Sequence, residues 1–423
     1  MNISKSKFKN IFAYLLITII LLHFLKNLTS AYTILLSLLI LLSTLSILFS
    51  KYHNINFTTT TFSYSLFLAS LLYIVILTLI NFFKFELNIT HFIIANSKMW
   101  VTPLIPFFLY GLISSKEKIT YIVNIYILFI FVAALSIFLQ NILGYPFDFL
   151  SPPYNKMRMG HENMLDGYAS LTGNVTTYGA SFYSAIILIF FNKLNYPFLK
   201  ALSIALIIGA AILTMSKTGL LMAIITAILI FILSIKYMKF KFLFYLFIIA
   251  LIGAITFNDY FISAFITMFV NTFGIEIANV NISSTTQWQA FIPRVTDRIF
   301  GVFFINSINN YSFIEIFFGI GMFGAGGLLG FNAGTSHNTF FDLYLMGGFI
   351  PLFIFLYLFI CTQLDLYKIY KKNKDQLTLA FFFNNLLLFV VLNVFNGAIF
   401  HPAISASFWI SIAYLMFYNK NEN

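Results

Sequence analysis

The residues of this chain best suited to chemistry are one histidine, three arginines and one lysine. His337 stands with Asn338 directly ahead of an apolar run that closes on Gly347 and Gly348. A neutral imidazole, with an ordinary pKa of roughly 6.5, accepts a proton near neutral pH and can serve as a general base. The blander alternative is a histidine that anchors a helix end by hydrogen bonding. Ahead of it, seven of the chain's 21 glycines lie between Gly319 and Gly334. Backbone that rich in glycine can bend closely around a ligand. The remaining histidines are less well placed. His23 and His53 fall near the ends of apolar runs, His91 and His401 in short connections, and His161 beside Glu162 as a secondary participant.

Arg294 and Arg298 lie four residues apart in PRVTDRIFGVFFINSI (Pro293 to Ile308). That spacing puts them on one face of a helix, with Ile299, Val302 and Phe303 supplying an apolar side. Such a helix would lie along a membrane surface with its guanidinium groups turned to solvent. Pro293 suits the first helical turn. Arg158 is the third arginine. A guanidinium offers a planar fork of donors that matches phosphate oxygens. The structural alternative is local pairing, of Asp297 with one of the pair and of Glu162 with Arg158; exposed pairs of that kind contribute little. Lys217, in TMSKTGLLMAI, sits between two apolar runs. It either snorkels to lipid headgroups or binds an anion inside a bundle.

The elements that must position these residues are membrane helices. The 423 residues are 60% hydrophobic and only 9% charged, against roughly 25% charged in a soluble domain. Apolar runs of bilayer-crossing length recur from end to end, and the alternating segments of a β-barrel are missing. The chain reads as an all-α polytopic membrane protein, residues 1–423 forming one integral membrane domain. Its spans number about 12, at roughly 11–25, 31–49, 62–83, 99–113, 119–143, 178–192, 199–215, 218–235, 242–257, 338–360, 378–396 and 404–418. The lysine-rich start followed by an apolar run reads as a retained first span.

With the N-terminus placed in the cytoplasm, the outer segments hold Lys26, Lys84, Lys98, Lys156, Arg158, Lys217, Arg294 and Arg298. The other 16 of the 24 basic residues fall inside. This is the positive-inside pattern, with both termini cytoplasmic. It accounts for the net charge of +11 without a nucleic acid partner. All three arginines fall outside, where orientation gives them no role. Two connections are long and both face outward: 144–177, and 258–336 with the amphipathic helix inside it.

Several chemistries find no support. Cys361 is the only cysteine, so an intrachain disulfide is excluded. No HExxH, no histidine pair at i,i+4 and no cysteine pair points to a metal. Gly319-Ile-Gly321-Met-Phe-Gly324 fits G-x-G-x-x-G but lacks the strand–turn–helix setting of a dinucleotide site. Asp342, five residues beyond His337, turns off that residue's helical face.

Taken in order, four segments resemble the O-antigen ligase/polymerase family of bacterial surface-polysaccharide assembly. SLTGNVTTYGASF (Ser170 to Phe182), including Asn174, is similar to the family's turn entering a span. MSKTGLL (Met215 to Leu221) is similar to its basic turn, with Lys217 where arginine is usual. QWQAFIPRVTDRIFG (Gln287 to Gly301) resembles the arginine helix of its large outer loop. GIGMFG followed by SHNTFFDLYLMGGFIPL resembles the closing signature, with His337 and Gly348 spaced as H-x10-G.

The resemblance implies a GT-C-like fold and metal-independent glycosyl transfer with no cofactor, on the outer face of the bacterial cytoplasmic (inner) membrane. The donor would be an oligosaccharide repeat on undecaprenyl diphosphate. His337 would be the general base; Arg294, Arg298, Lys217 and Arg158 would hold the diphosphate; Asn338, Gly348, Asn174 and Asp342 would support them. Beside the bilayer and the lipid-linked oligosaccharide, a chain-length regulator is an expected partner. Polymerase is the reading of choice, ahead of a ligase that moves finished polymer to lipid A–core. A transporter, from another class, would carry ionisable residues at mid-membrane and broken helices. Here the charges gather at span ends and in loops.

Overall fold

The computed structural model describes residues 58–81, 89–112, 116–143, 170, 175–192, 196–214, 216–237, 239–256, 312–324, 338–393 and 398–421. Among them the extended structure is helical and no strand occurs. The α-helices are α1 (Thr59–Ile80), α2 (Ile89–Val101), α3 (Ile105–Leu112), α4 (Lys116–Leu143), α5 (Val175–Phe191), α6 (Pro197–Leu213), α7 (Lys217–Lys236), α8 (Phe240–Thr256), α9 (Phe313–Phe318), α10 (Thr339–Gly347), α11 (Phe349–Asn373), α12 (Gln376–Leu392) and α13 (Pro402–Asn421). Short 3-10 turns form at Gly321–Gly324 and Ala398–Phe400.

Four stretches, Thr59–Ile80, Lys116–Ile142, Thr218–Lys236 and Phe349–Asn373, are long and apolar enough to cross a bilayer. The outward surface of α7 shows why lipid is the fitting solvent. Leu221, Ile224, Ile228, Phe231 and Ile235 recur at helical spacing, and each is exposed. In water such a stripe would invite aggregation; in hydrocarbon it is the expected boundary. The protein is a helical membrane protein.

Two apolar runs that read as single spans are each broken. The run at 99–113 divides at Thr102–Leu104 into α2 and α3. Pro103 lacks an N–H and disfavours helical backbone in the residue before it. Thr102 uses the break, its Oγ1 donating to Phe400 O at 2.8 Å. The run at 338–360 divides at Gly348, where φ is +67°, a conformation costly for any residue with a Cβ. Beyond that break, α11 continues to Asn373. Its last turn carries Lys371 and Lys372, which complement the helix dipole.

The chain clusters into two compact units, the boundary falling between Val123 and Asn124 within α4. The first gathers α1–α3, the start of α4 and α9–α13. Here α1 packs on α11, and α3 on α13. Trp409 is fully buried between Tyr64 and Phe67, with ring centroids 6.2 and 5.9 Å away. Its Nε1 donates to Ile399 O at 3.1 Å. Between membrane helices such close packing contributes chiefly through dispersion, because lipid tails are as apolar as the side chains.

Asp375 ties several elements together in the first unit. Its carboxylate caps α12, accepting from Thr378 N at 3.3 Å and Thr378 Oγ1 at 2.9 Å. Tyr414 OH donates to it at 3.2 Å, and Lys116 Nζ at 2.8 Å. Burial would raise its pKa. The hydrogen bonds from Lys116 and Thr378, with the lysine's charge, outweigh that and hold the carboxyl below its ordinary value.

The second unit holds the rest of α4 with α5–α8. Within it α5 packs along α7, and α6 along α8. Tyr178, Phe182, Tyr183 and Phe190 of α5 are buried.

Candidate functional site

In the first unit, the described part of the closing signature is built on the N-terminus of α10. Asn338 is its cap, with extended backbone at φ −147°. The side-chain Oδ1 accepts from Phe340 N at 2.9 Å and Phe341 N at 3.4 Å, satisfying donors that the helix leaves open. Asn338 O accepts from Asp342 N at 3.1 Å, and Asp342 is itself buried in the first turn. Thr339 Oγ1 accepts from Ala398 N at 3.0 Å and so holds the turn Ala398–Phe400 against α10. His401 follows that turn, its N–H donating to Ala398 O at 3.1 Å. Thr339 and Thr102 thus both bond the backbone of the turn Ala398–Phe400, which His401 follows.

His401 was legible only as a histidine in a short connection. The bond from Ala398 to Thr339, across 59 positions of sequence, is what links it to the start of α10. Among the described residues, no group of three or more His, Cys, Asp or Glu is placed to hold a metal ion.

The glycines of the signature have definite tasks in packing. Gly319 and Gly321 lie at φ +86° and +77°. A Cβ on Gly319 would come within 2.5 Å of Gly347 Cα, and one on Gly321 within 2.6 Å of Thr78 N. At Gly348 the obstacle is Phe317 O, 2.0 Å from where a Cβ would sit. The segment threads between α1 and the α10–α11 break, pinned by Ile320 N to Leu345 O at 3.0 Å and Met322 N to Thr78 Oγ1 at 2.8 Å. Ser312 and Glu315 close a capping box at the start of α9.

The described part of the basic segment, Ser216–Leu221, opens α7 in the second unit. Ser216 caps it, Oγ accepting from Gly219 N at 2.8 Å. Thr214 Oγ1 donates to Ala211 O at 2.7 Å, closing α6. A Cβ on Gly179 of α5 would meet Ser216 Oγ at 2.4 Å and Gly219 Cα at 2.8 Å, so helix and turn touch backbone to backbone. Lys217 is the first residue of α7.

The chain matches no protein-family model and no curated protein.

Of the residues singled out in the sequence, Asn338, Asp342 and Gly348 are therefore described together, around α10. Lys217 is described by its backbone alone. His337, Arg158, Arg294, Arg298 and Asn174 lie outside the described residues, as does most of both long connections, including the amphipathic stretch 293–308.

Proposed function

We propose that this membrane protein is a surface-polysaccharide polymerase. It joins oligosaccharide repeats carried on undecaprenyl diphosphate, at the outer face of the bacterial cytoplasmic membrane. What carries the reading is the order of four segments, Ser170–Phe182, Met215–Leu221, Gln287–Gly301 and Gly319–Gly348, resembling one family of polysaccharide enzymes.

Two local features support it. Lys217 stands at the first position of α7, where a cation opposes the helix dipole and adds nothing to helix stability. The same helix start suits an anionic ligand, whose charge the dipole and the ammonium would both favour. Asn338, next after His337 in the sequence, caps α10 by taking two of its open N–H groups, a task that needs no histidine.

In the proposed step an acceptor sugar hydroxyl attacks the anomeric carbon of the growing chain. A new C–O bond forms as the anomeric bond to the diphosphate breaks, and the anomeric centre inverts. The hydroxyl proton passes to His337. The bonding pair leaves with undecaprenyl diphosphate, whose developing charge Arg294, Arg298 and Lys217 stabilise, with Arg158 contributing. Both termini lie in the cytoplasm, and the fold belongs to the GT-C class with about 12 spans.

The test is polymer length on gels from a deletion strain carrying His337→Ala or Arg294→Ala, with protein levels matched. Short or absent polymer from each variant is expected. Normal long polymer from both removes the assigned roles. The material that accumulates in the deletion strain separates the related reaction: single-repeat lipid A–core fits polymerase, and unattached long polymer fits ligase.

A further inference from the structure

In the second unit four helix ends converge: α5 finishes at Phe191, α6 begins at Pro197, α7 finishes at Lys236 and α8 begins at Phe240. Two lysines reach into this end. Lys239 Nζ donates to Phe190 O at 2.9 Å and lies over the Phe190 ring, 3.9 Å from its centroid. Lys200 Nζ donates to Asn192 O. Both carbonyls close α5, where a helix has exhausted its own N–H partners and its dipole is negative. Asn192 is steadied by its Nδ2, 3.3 Å from Asn124 Oδ1. Aromatic rings wall the place: Phe190 meets Phe242 edge-on at 5.6 Å, and Phe191 meets Tyr237 at 5.9 Å.

The charges here do not balance. A helix end offers about half an elementary charge, against two ammonium groups. From Gly167 to Asn258 the sequence has six lysines and no Asp or Glu; Lys200 lies in the first turns of α6, Lys236 ends α7, and Lys239 and Lys241 flank the start of α8. Burial, and then the charge of Lys200, bring the Lys239 ammonium down to about 8. Helix capping alone would need one lysine, not two that repel each other. Each ammonium also keeps N–H donors beyond the one given to a carbonyl.

We infer that Lys200 and Lys239 form a site for a phosphate group, that of an anionic membrane lipid. The source is argued from the surroundings. Tyr196, Phe198, Phe240 and Phe244 stand exposed on the starts of α6 and α8, as aromatic side chains do at a membrane–water boundary. Acyl chains lying along that surface would bring a headgroup phosphate to the two ammoniums, whose attraction for anionic lipid is additive per cation. The phosphate supplies acceptor oxygens to both lysines and the negative charge that α5 to α8 lack. The niche is a full length of α7, 20 residues, from the Ser216–Lys217 turn, and its occupancy is independent of the glycosyl-transfer reading.

The experiment is native mass spectrometry of the full chain, released from bilayers of equal phosphatidylglycerol and phosphatidylcholine. Wild type should retain phosphatidylglycerol preferentially. The Lys200→Gln/Lys239→Gln pair should lose that retention by roughly tenfold or more. The charge-matched pair Lys371→Gln/Lys372→Gln should keep it, as should Lys200→Arg/Lys239→Arg. Equal retention by the two glutamine pairs overturns the site. Should the first pair fail to accumulate, wild type in neutral detergent is melted with added short-chain phosphatidylglycerol or with inorganic phosphate. A rise with the lipid alone supports the lipid site. A rise with both assigns the lysines to free phosphate, and no rise with either overturns the proposal.

Discussion

Both units use glycine to bring backbones into contact, but for different reasons. Gly179 and Gly219 of the second unit lie within helices α5 and α7 and are needed for space. Gly319, Gly321 and Gly348 of the first unit are needed for space and for conformation, since all three stand at positive φ. The obstacles differ as well. In the second unit the nearest atom to a new Cβ is a hydroxyl, Ser216 Oγ, which a substitution can remove. At Gly348 it is the carbonyl of Phe317, which no substitution removes. A glycine-rich stretch that looks suited to wrapping a ligand is, over its described part, a device for seating a loop against a broken helix.

The largest effect of breaking this comparison is expected at Gly348. Gly348→Ala combines a forced positive φ with a collision against backbone. It should cost about 3 kcal/mol or more, measured by unfolding in detergent. Gly179→Ala should cost less, roughly 1–3 kcal/mol as an overpacking defect. Adding Ser216→Gly should recover part of that loss, because Gly219 Cα remains 2.8 Å away. Equal costs at Gly348 and Gly179 would show that conformation contributes nothing beyond crowding.

A smaller effect is expected at Asp375. Lys116 is 56% exposed, so solvent screens the pair, and Asp375→Asn should cost only about 0.5–1 kcal/mol at neutral pH. The sign follows from the depressed carboxyl. Its contribution is full above the unfolded value of about 3.9 and is lost as pH falls through the lower folded value. Melting temperatures of wild type and Asp375→Asn should converge in that acid range; a constant gap across it contradicts the assignment.

Long apolar runs were legible in the sequence because bilayer thickness fixes how long an uncharged helix must be. Thus α1, α4, α7 and α12 fall where hydropathy places them. Both breaks had local signals, Pro103 inside one run and the Gly347–Gly348 pair inside another, that apolar length alone conceals. Asn338 was legible as a residue beside His337, but its task as the cap of α10 emerges from two backbone hydrogen bonds. Contacts such as Lys116 with Asp375, 259 positions apart, leave no sequence pattern because tertiary packing alone creates them. The two lysines at the end of α5 are a further case. In the sequence they read only as two of many lysines near the ends of apolar runs, and the fold brings both to the carbonyls that close one helix.

The central claim is that this membrane protein transfers sugar chains between lipid carriers. The most direct measurement uses purified full chain in detergent with undecaprenyl-diphosphate-linked repeats, following product length over time. Detergent removes any membrane barrier, so transport cannot produce a signal. Wild type is expected to build a ladder of longer lipid-linked chains, with His337→Ala losing elongation by roughly a hundredfold or more as a general base is removed. Repeats left at their starting length by folded wild-type protein would contradict the claim.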